Sequence, residues 1–296
     1  MIRYKTSLLG LLTILGLALA ITSCQKLYRP PLGEIFEDPD PPAFNPLKAL
    51  WAFENNVTDQ GESGFSATTN GITYVAGNKG QAINFGTNGY VLVKTDGDTT
   101  KHPNGYIGIP KDTILNLGSF TISFWMNVPG PIQDGAQGVF SFSNSKEFWG
   151  NFDMFLENHS KAGDPSEVFI KMHMFNDGAA NREQWIEGDG LKIPGVLGKW
   201  THIAVTYNAA DAKMTVYKDG AQVNTRNLDG GNYGPIKFKD FNGLVLGNHQ
   251  FQTTPSLTNH GPEGWATSLK GPMDQFRIYN RPLSAGEITT LFNSKD

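Results

Sequence analysis

Residues 199–226 read KWTHIAVTYNAADAKMTVYKDGAQVNTR, and this stretch decides the fold. Trp200–Tyr207 is rich in β-branched and aromatic residues, which suit a pleated, half-buried surface. Asn208–Ala212 breaks the run, and Met214–Tyr217 starts a second short strand. Asp219-Gly220 closes a hairpin, because both residues tolerate the positive φ of a two-residue turn. Ala221–Thr225 is the return strand. Three sequential antiparallel strands make a meander. Both faces of the first strand are largely apolar, so it belongs in the middle of a packed sandwich.

The rest of the chain agrees with an all-β reading. It has 296 residues, 39% of them hydrophobic and 18% charged, enough for one sizeable core. The 34 glycines and 17 prolines suit many short strands punctuated by turns. Phe120–Val128 reads as a strand with Ile122, Phe124 and Met126 on one face and Ser123, Trp125 and Asn127 on the other. Ile72–Val75, Ala82–Phe85, Tyr90–Val93, Gly138–Ser143, Phe152–Glu157, Val168–Phe175, Gln184–Glu187, Leu244–Gly247 and Phe276–Tyr279 read as further strands. Thr95–Lys111 and Asn248–Thr267 read as long loops. Ser284 followed by Glu287 predicts a capped C-terminal helix with Ile288, Leu291 and Phe292 on its apolar face. Trp51, Trp125 and Trp200 are the expected core tryptophans. The formal net charge of −4 gives no reason to expect a nucleic-acid partner.

Five blocks, in order from about Ala49 to Phe292, resemble the laminin-G-like domains of the concanavalin A-like lectin/glucanase superfamily. They are LWAFENNVTD (50–59), GQAINFGTNGYVLV (80–93), SFTISFWMNV (119–128), the central meander, and GPMDQFRIYNRPLSAGEI (271–288). The resemblance implies a two-sheet jelly-roll sandwich over residues 47–296 with a short C-terminal helix. It also implies a binding role, toward an oligo- or polysaccharide or toward a protein. It further implies a structural calcium: Asp274 stands where relatives place a ligand acid, and Glu54 where the first block often carries one. Calcium takes several hard oxygens, carboxylate and carbonyl mixed. A plain turn carboxylate is the alternative.

Ahead of the domain, Arg3 and Lys5 precede an apolar run from Leu8 to Ile21. This layout is that of an export signal, and the run is short for a membrane span. Ile21-Thr22-Ser23-Cys24 resembles a bacterial lipobox, which implies that residues 1–23 are a removable signal and Cys24 the lipidated N-terminus; an ordinary signal with an incidental thiol is the alternative. Cys24 is the sole cysteine, so no intrachain disulfide competes for it. Residues 24–46 hold Pro30, Pro31, Pro39, Pro41, Pro42 and Pro46, which oppose helix and interior strand alike. They read as a tether. The expected setting is a bacterial, Bacteroidota-type cell envelope, anchored to the outer membrane. Gln25-Lys26-Leu27 replaces the acidic residues that direct such lipoproteins outward, so the leaflet stays open.

Candidate ligand residues fall on two patterns. In WGNFDMFLE (149–157), Asp153 and Glu157 share a strand face; in the next strand Lys171 and His173 do, and Trp185 follows. Trp149, Asp153, Glu157, His173 and Trp185 would together offer rings for pyranose faces and carboxylates for hydroxyls. An ordinary solvated sheet face is the alternative. The loop aromatics Trp149, Trp185, Tyr233, Phe251 and Trp265 form the second pattern. They serve either ligand contact or their own loops' packing. No catalytic residue is assigned: Asp153 and Glu157 lie roughly 13 Å apart along a strand, and a pair across strands or with Glu183 or Glu187 is the alternative. Glycosidase pairs stand ~5–5.5 or ~6.5–9.5 Å apart. The E-x-D-x-E and E-x-D-x-x-E strands of the related glucanases are absent. A glycoside hydrolase is therefore the third reading, after lectin and protein-binding adhesion module. The six histidines show no zinc-ligand spacing.

Overall fold

The computed structural model describes residues 45–94, 114–133 and 135–294. Cys24, the signal-like segment, the tether through Phe44 and the 95–111 insertion lie outside the described residues. The chain divides into Met1–Phe44 and Asn45–Asp296, and the second unit is the β-domain. Among the described residues, no helix is long and apolar enough to cross a membrane.

In chain order the strands are β1 (Leu47–Trp51), β2 (Ala67–Ala76), β3 (Gln81–Lys94), β4 (Phe120–Asn127), β5 (Ala136–Phe142), β6 (Phe152–Glu157), β7 (Glu167–Phe175), β8 (Glu183–Ile186), β9 (Lys192–Pro194), β10 (Trp200–Asn208), β11 (Lys213–Lys218), β12 (Ala221–Asn227), β13 (Gly243–Leu246), β14 (Ala266–Ser268) and β15 (Pro272–Tyr279). Among the described residues they are accompanied by the α-helices α1 (His159–Ala162) and α2 (Ala285–Asn293). The strands form one continuous sheet, ordered β12-β11-β10-β4-β15-β3-β13-β5-β6-β7-β8. All its pairings are antiparallel except β14 with β5.

The sheet curls into two layers at β3. The first half of β3 pairs with β15 through Ile83 and Asn84. Its second half pairs with β13 through Val91–Lys94. β2 lies along the other side of both halves. At the bend, Gly71 adopts φ 57°, and a Cβ at Gly86 or Gly89 would come within 2.7 or 2.6 Å of the Gly71 carbonyl oxygen. The sequence read this region as three short strands with glycine turns; the glycines instead let one hairpin change layers without breaking.

The core fills the space between the layers. Phe124 of β4 meets Phe140 of β5 edge-on at 6.2 Å, and Phe276 of β15 meets Phe140 at 5.8 Å. Trp51 is fully buried. As its two-sided pattern requires, β10 sits between β11 and β4. Its Ile203 and Val205 face the core, while Ala204 packs beneath α2 with Tyr217, Tyr279, Leu283 and Ile288. Asp219 and Gly220 take φ 49° and 79°, the hairpin turn expected of them. Two of the tryptophans read as core are placed differently. Trp125 is buried, but on the outer face under α2, stacked on Phe292 at 5.6 Å. Trp200 is only half-buried, because the start of β10 lies at the rim.

Candidate functional site

The candidate site is the outer face of β5–β8, the layer opposite α2. Alternation divides the side chains of β6, and those of β7 from Ile170 onward. Phe152, Met154, Leu156, Val168, Ile170, Met172 and Met174 enter the core. Asp153, Phe155, Glu157, Lys171 and His173 therefore point outward. Register then sets the neighbours: Asp153 stands opposite His173, and His173 opposite Trp185. The last strand of this row begins at Glu183, one residue earlier than the sequence suggested, which brings Glu183 into the site.

A hydrogen-bonded chain crosses the face. Ser141 Oγ donates to Asp153 Oδ1 at 2.5 Å. Asp153 Oδ2 lies 3.3 Å from His173 Nδ1, and His173 Nε2 lies 2.9 Å from Glu183 Oε1. Asp153 and His173 are both buried. They hold one another and Glu183 in place, and both are almost wholly covered. Lys171 bridges Glu157 at 3.4 Å and Glu187 at 2.9 Å, with its ammonium 5.1 Å from the Trp185 ring centre.

Aromatic rings form the rest of the site. Trp149 stacks on Phe155 at 5.3 Å with planes 11° apart, and meets Trp185 edge-on at 5.1 Å. The 248–265 loop lies over β5 because Gly138 has no side chain there. A Cβ would stand 2.4 Å from the Asn248 carbonyl carbon. The loop brings Phe251 to 5.9 Å and Trp265 to 6.0 Å from Trp149. Phe251 also stacks on Phe148 at 4.5 Å and on His249 at 5.0 Å. Trp185 and Trp265, at 37% and 41% exposure, are the only large hydrophobic side chains exposed among the described residues. Beside them Glu147, Phe148, Trp149, His173, Arg182 and Glu183 help line a pocket of ≈ 440 Å³.

Two buried amides fix this arrangement. Gln250 accepts from the Asn144 amide at 2.7 Å and donates to the Glu147 and Phe148 carbonyls at 3.0 and 2.7 Å. It thus clamps the turn that carries Phe148 and Trp149. Gln252 donates to the Glu263 and Ala266 carbonyls at 2.7 and 2.6 Å, clamping the segment that carries Trp265. Burial pushes the His249 imidazole down to about 4, so the neutral ring packs as part of the bed, with Nε2 3.3 Å from the Ala136 carbonyl.

The structure thus brings Trp149, Asp153, Glu157, His173, Trp185, Phe251 and Trp265 to one face. It divides them by role: Trp185, Trp265 and part of Trp149 reach solvent, whereas Phe251, Asp153 and His173 lie beneath. Tyr233 is elsewhere; it is buried, and its hydroxyl donates to the Met174 and Arg182 carbonyls. Phe148, Gln250 and Gln252 are the members the sequence reading missed. For the two glutamines, the Gln250-Phe251-Gln252 run inside a polar loop was the one visible signal.

Asp274 and Glu54 meet on a different part of the molecule, at the 77–80 turn. Glu54 accepts from the Gln81 amide at 2.9 Å, and Asp274 Oδ2 from the Lys79 amide at 3.0 Å. Asp274 is fully buried, and burial, with the Glu54 charge adding, pushes its carboxyl up to about 6. The amides of Asn78 and Gln275 lie near it and oppose that rise, but its Oδ1 makes no hydrogen bond of normal geometry. A buried carboxylate oxygen without a donor, beside a second carboxylate, fits a hard cation. No group of three or more His, Cys, Asp or Glu side chains converges for a metal among the described residues. Any further ligands would be backbone oxygens or water.

A curled antiparallel sheet with a short C-terminal helix and an aromatic face over one layer defines a jelly-roll sandwich of the lectin type. A laminin-G family model, described as the concanavalin A-like lectin/glucanases superfamily, matches residues 98–289. The chain belongs to that superfamily. It is 29% identical over 189 residues to neuronal pentraxin-1 of Rattus norvegicus, covering 61% of this chain and 35% of the relative. It is 27% identical over 198 residues to neuronal pentraxin-2 of Homo sapiens, covering 64% and 37%. The chain thus spans about a third of the length of these curated relatives. Among solved structures it is similar to the binding domain of botulinum neurotoxin DC in complex with SialylT, with TM-score 0.54 and 15% identity over 85% of this chain and 52% of that one. It is also similar to the botulinum neurotoxin serotype D ligand-binding domain in complex with N-acetylneuraminic acid, with TM-score 0.51 and 14% identity over 83% and 50%. These likenesses show the fold.

Proposed function

We propose that the outer face of β5–β8 binds an oligo- or polysaccharide without cleaving it. The observation that carries this reading is the pair of exposed rings, Trp185 and Trp265, set on a bed of packed aromatic residues. Such rings cover the apolar faces of sugars at little cost in ordering, because the bed already holds them. Glu183 and Glu157 at the margin accept hydrogen bonds from hydroxyls. The sugar-bound neurotoxin domains are a precedent for the fold in this role. In the same reading, Cys24 carries a lipid, residues 24–46 are the tether, and the protein captures glycans at a bacterial outer membrane. Calcium, held by Asp274 and Glu54, would neutralise two carboxylates and brace the 77–80 turn.

The test is affinity electrophoresis of the purified chain through a panel of polysaccharides. At least one glycan is expected to retard it, and the Trp185→Ala/Trp265→Ala double variant is expected to run freely. No retardation by any glycan overturns the reading. Capture of a protein by the same two tryptophans would point instead to an adhesion module.

A further inference from the structure

The charges around the exposed rings have a consequence for which glycans fit. We infer that the Trp149–Trp185–Trp265 face selects uncharged saccharides and rejects anionic ones; this rests on the saccharide-binding reading above. Recognition of a uronate, sialate or sulfate needs a cation or a set of amides with capacity to spare. Among the described residues, two cationic side chains line or touch the ring cluster, and each has a carboxylate partner. Lys171 is held between Glu157 and Glu187 while it covers the Trp185 ring. Arg182 Nη1 lies 3.5 Å from Asp177 Oδ1; its side chain is 53% exposed and keeps donor capacity, but the carboxylates around the rings outnumber it. The third basic group, His173, is buried between Asp153 and Glu183.

Carboxylates are in excess at the same place. Glu147 and Glu183 line the pocket beside Phe148 and Trp149. Glu157 and Glu187 flank Trp185 through Lys171. Asp153 lies one residue beneath, behind His173. The Glu183 side chain is 59% exposed, so it still has acceptor capacity toward solvent after its bond to His173. An ionised carboxylate only accepts hydrogen bonds. A neutral sugar answers with hydroxyl donors. A uronate brings a second acceptor of the same charge into a site whose apolar floor excludes water and weakens screening. The face therefore complements donors and repels anions, unlike a sialic-acid site.

Matched polymers test this with the full chain. The probes are β-glucan and galactomannan, the same two polymers after oxidation of their C6 hydroxyls to carboxylates, and the methyl esters of the oxidised forms. Polygalacturonate and its fully methyl-esterified form make a third pair. Titration at low ionic strength is expected to show at least one neutral member bound. Its carboxylate form should bind at least tenfold more weakly, and esterification should restore most of the loss. The gap should shrink in 0.5 M salt, and in the Glu147→Gln/Glu183→Gln variant. Equal or tighter binding of the carboxylate form overturns the inference and leaves the lectin reading standing. So does a loss that esterification fails to restore, since the hydroxyl and not the charge would then matter. Binding of no neutral member in any pair also overturns it, whereas the lectin reading falls only with the wider panel.

Discussion

Trp185 and Phe140 are both large aromatic residues on strands of one sheet layer, yet truncation of each should report on a different property. Trp185 is 37% exposed, so its ring is already largely in place on the surface before any ligand arrives. Trp185→Ala should weaken glycan binding by more than about 1 kcal/mol, the scale of one aromatic contact, and scarcely move the urea midpoint. Phe140 packs against Phe124, Phe142, Phe152 and Phe276 in the core. Phe140→Ala should cost ~3–5 kcal/mol of folding free energy. A midpoint that falls as far for Trp185→Ala would make that ring structural. Asp274 supports a second test. Its carboxyl is raised from 3.8 to about 6 by burial, so without metal the folded chain holds a proton that the unfolded chain releases. The stabilisation is fully present below about pH 3.8 and is lost as pH rises through about 6, on the order of 3 kcal/mol in all. Asp274→Asn should remove that fall from a stability-versus-pH curve. Calcium must displace the proton, so it should raise Tm more at pH 7.5 than at pH 5. Asp274→Ala should abolish the increment. A wild-type melting curve unmoved by calcium and by chelator at pH 7.5 would contradict the metal proposal.

At the scale of elements, α2 gives a control for the site. Ser284 Oγ accepts from the Glu287 amide at 3.3 Å, and the Glu287 carboxylate accepts from the Ser284 amide at 2.9 Å, completing the capping box read from the sequence. The Arg281 guanidinium, with these bonds, holds the Glu287 carboxyl down to about 2. The helix then places Ile288 and Phe292 over the outer face of β10 and β4. That face belongs to the layer opposite the aromatic site. Ser284→Ala should therefore lower stability by about 1 kcal/mol, read from the shift in denaturant midpoint, without changing glycan affinity. A parallel loss of affinity would mean that the two layers are coupled. Capping was visible in sequence because both partners sit three residues apart. The loop site was not, because Gln250 and Gln252 find their carbonyls up to about a hundred residues away along the chain.

For the whole molecule, the proposed anchor can be tested independently of the site. Cys24→Ala removes the single thiol available for acylation. It is expected to abolish incorporation of a labelled fatty acid and to shift the protein from the membrane to the soluble fraction, with glycan retardation intact. Unchanged fractionation and unchanged lipid label would reject lipidation.

By itself the sequence determined the class of fold and most of its strands. Side-chain alternation in Phe120–Val128, Phe152–Glu157 and Trp200–Tyr207 reports local backbone geometry directly, and Asp219-Gly220 and Ser284-x-x-Glu287 are short-range signals of the same kind. It also put Asp153 and His173 on strand faces that register then joined at 3.3 Å. Tertiary structure alone decided which members of the site reach solvent. Trp265 and Phe251 both lie in the 248–267 loop, yet one is 41% exposed and the other 1%. What separates them is the path of that loop over Gly138, set by contacts distant in sequence, and no local pattern of residue types encodes it.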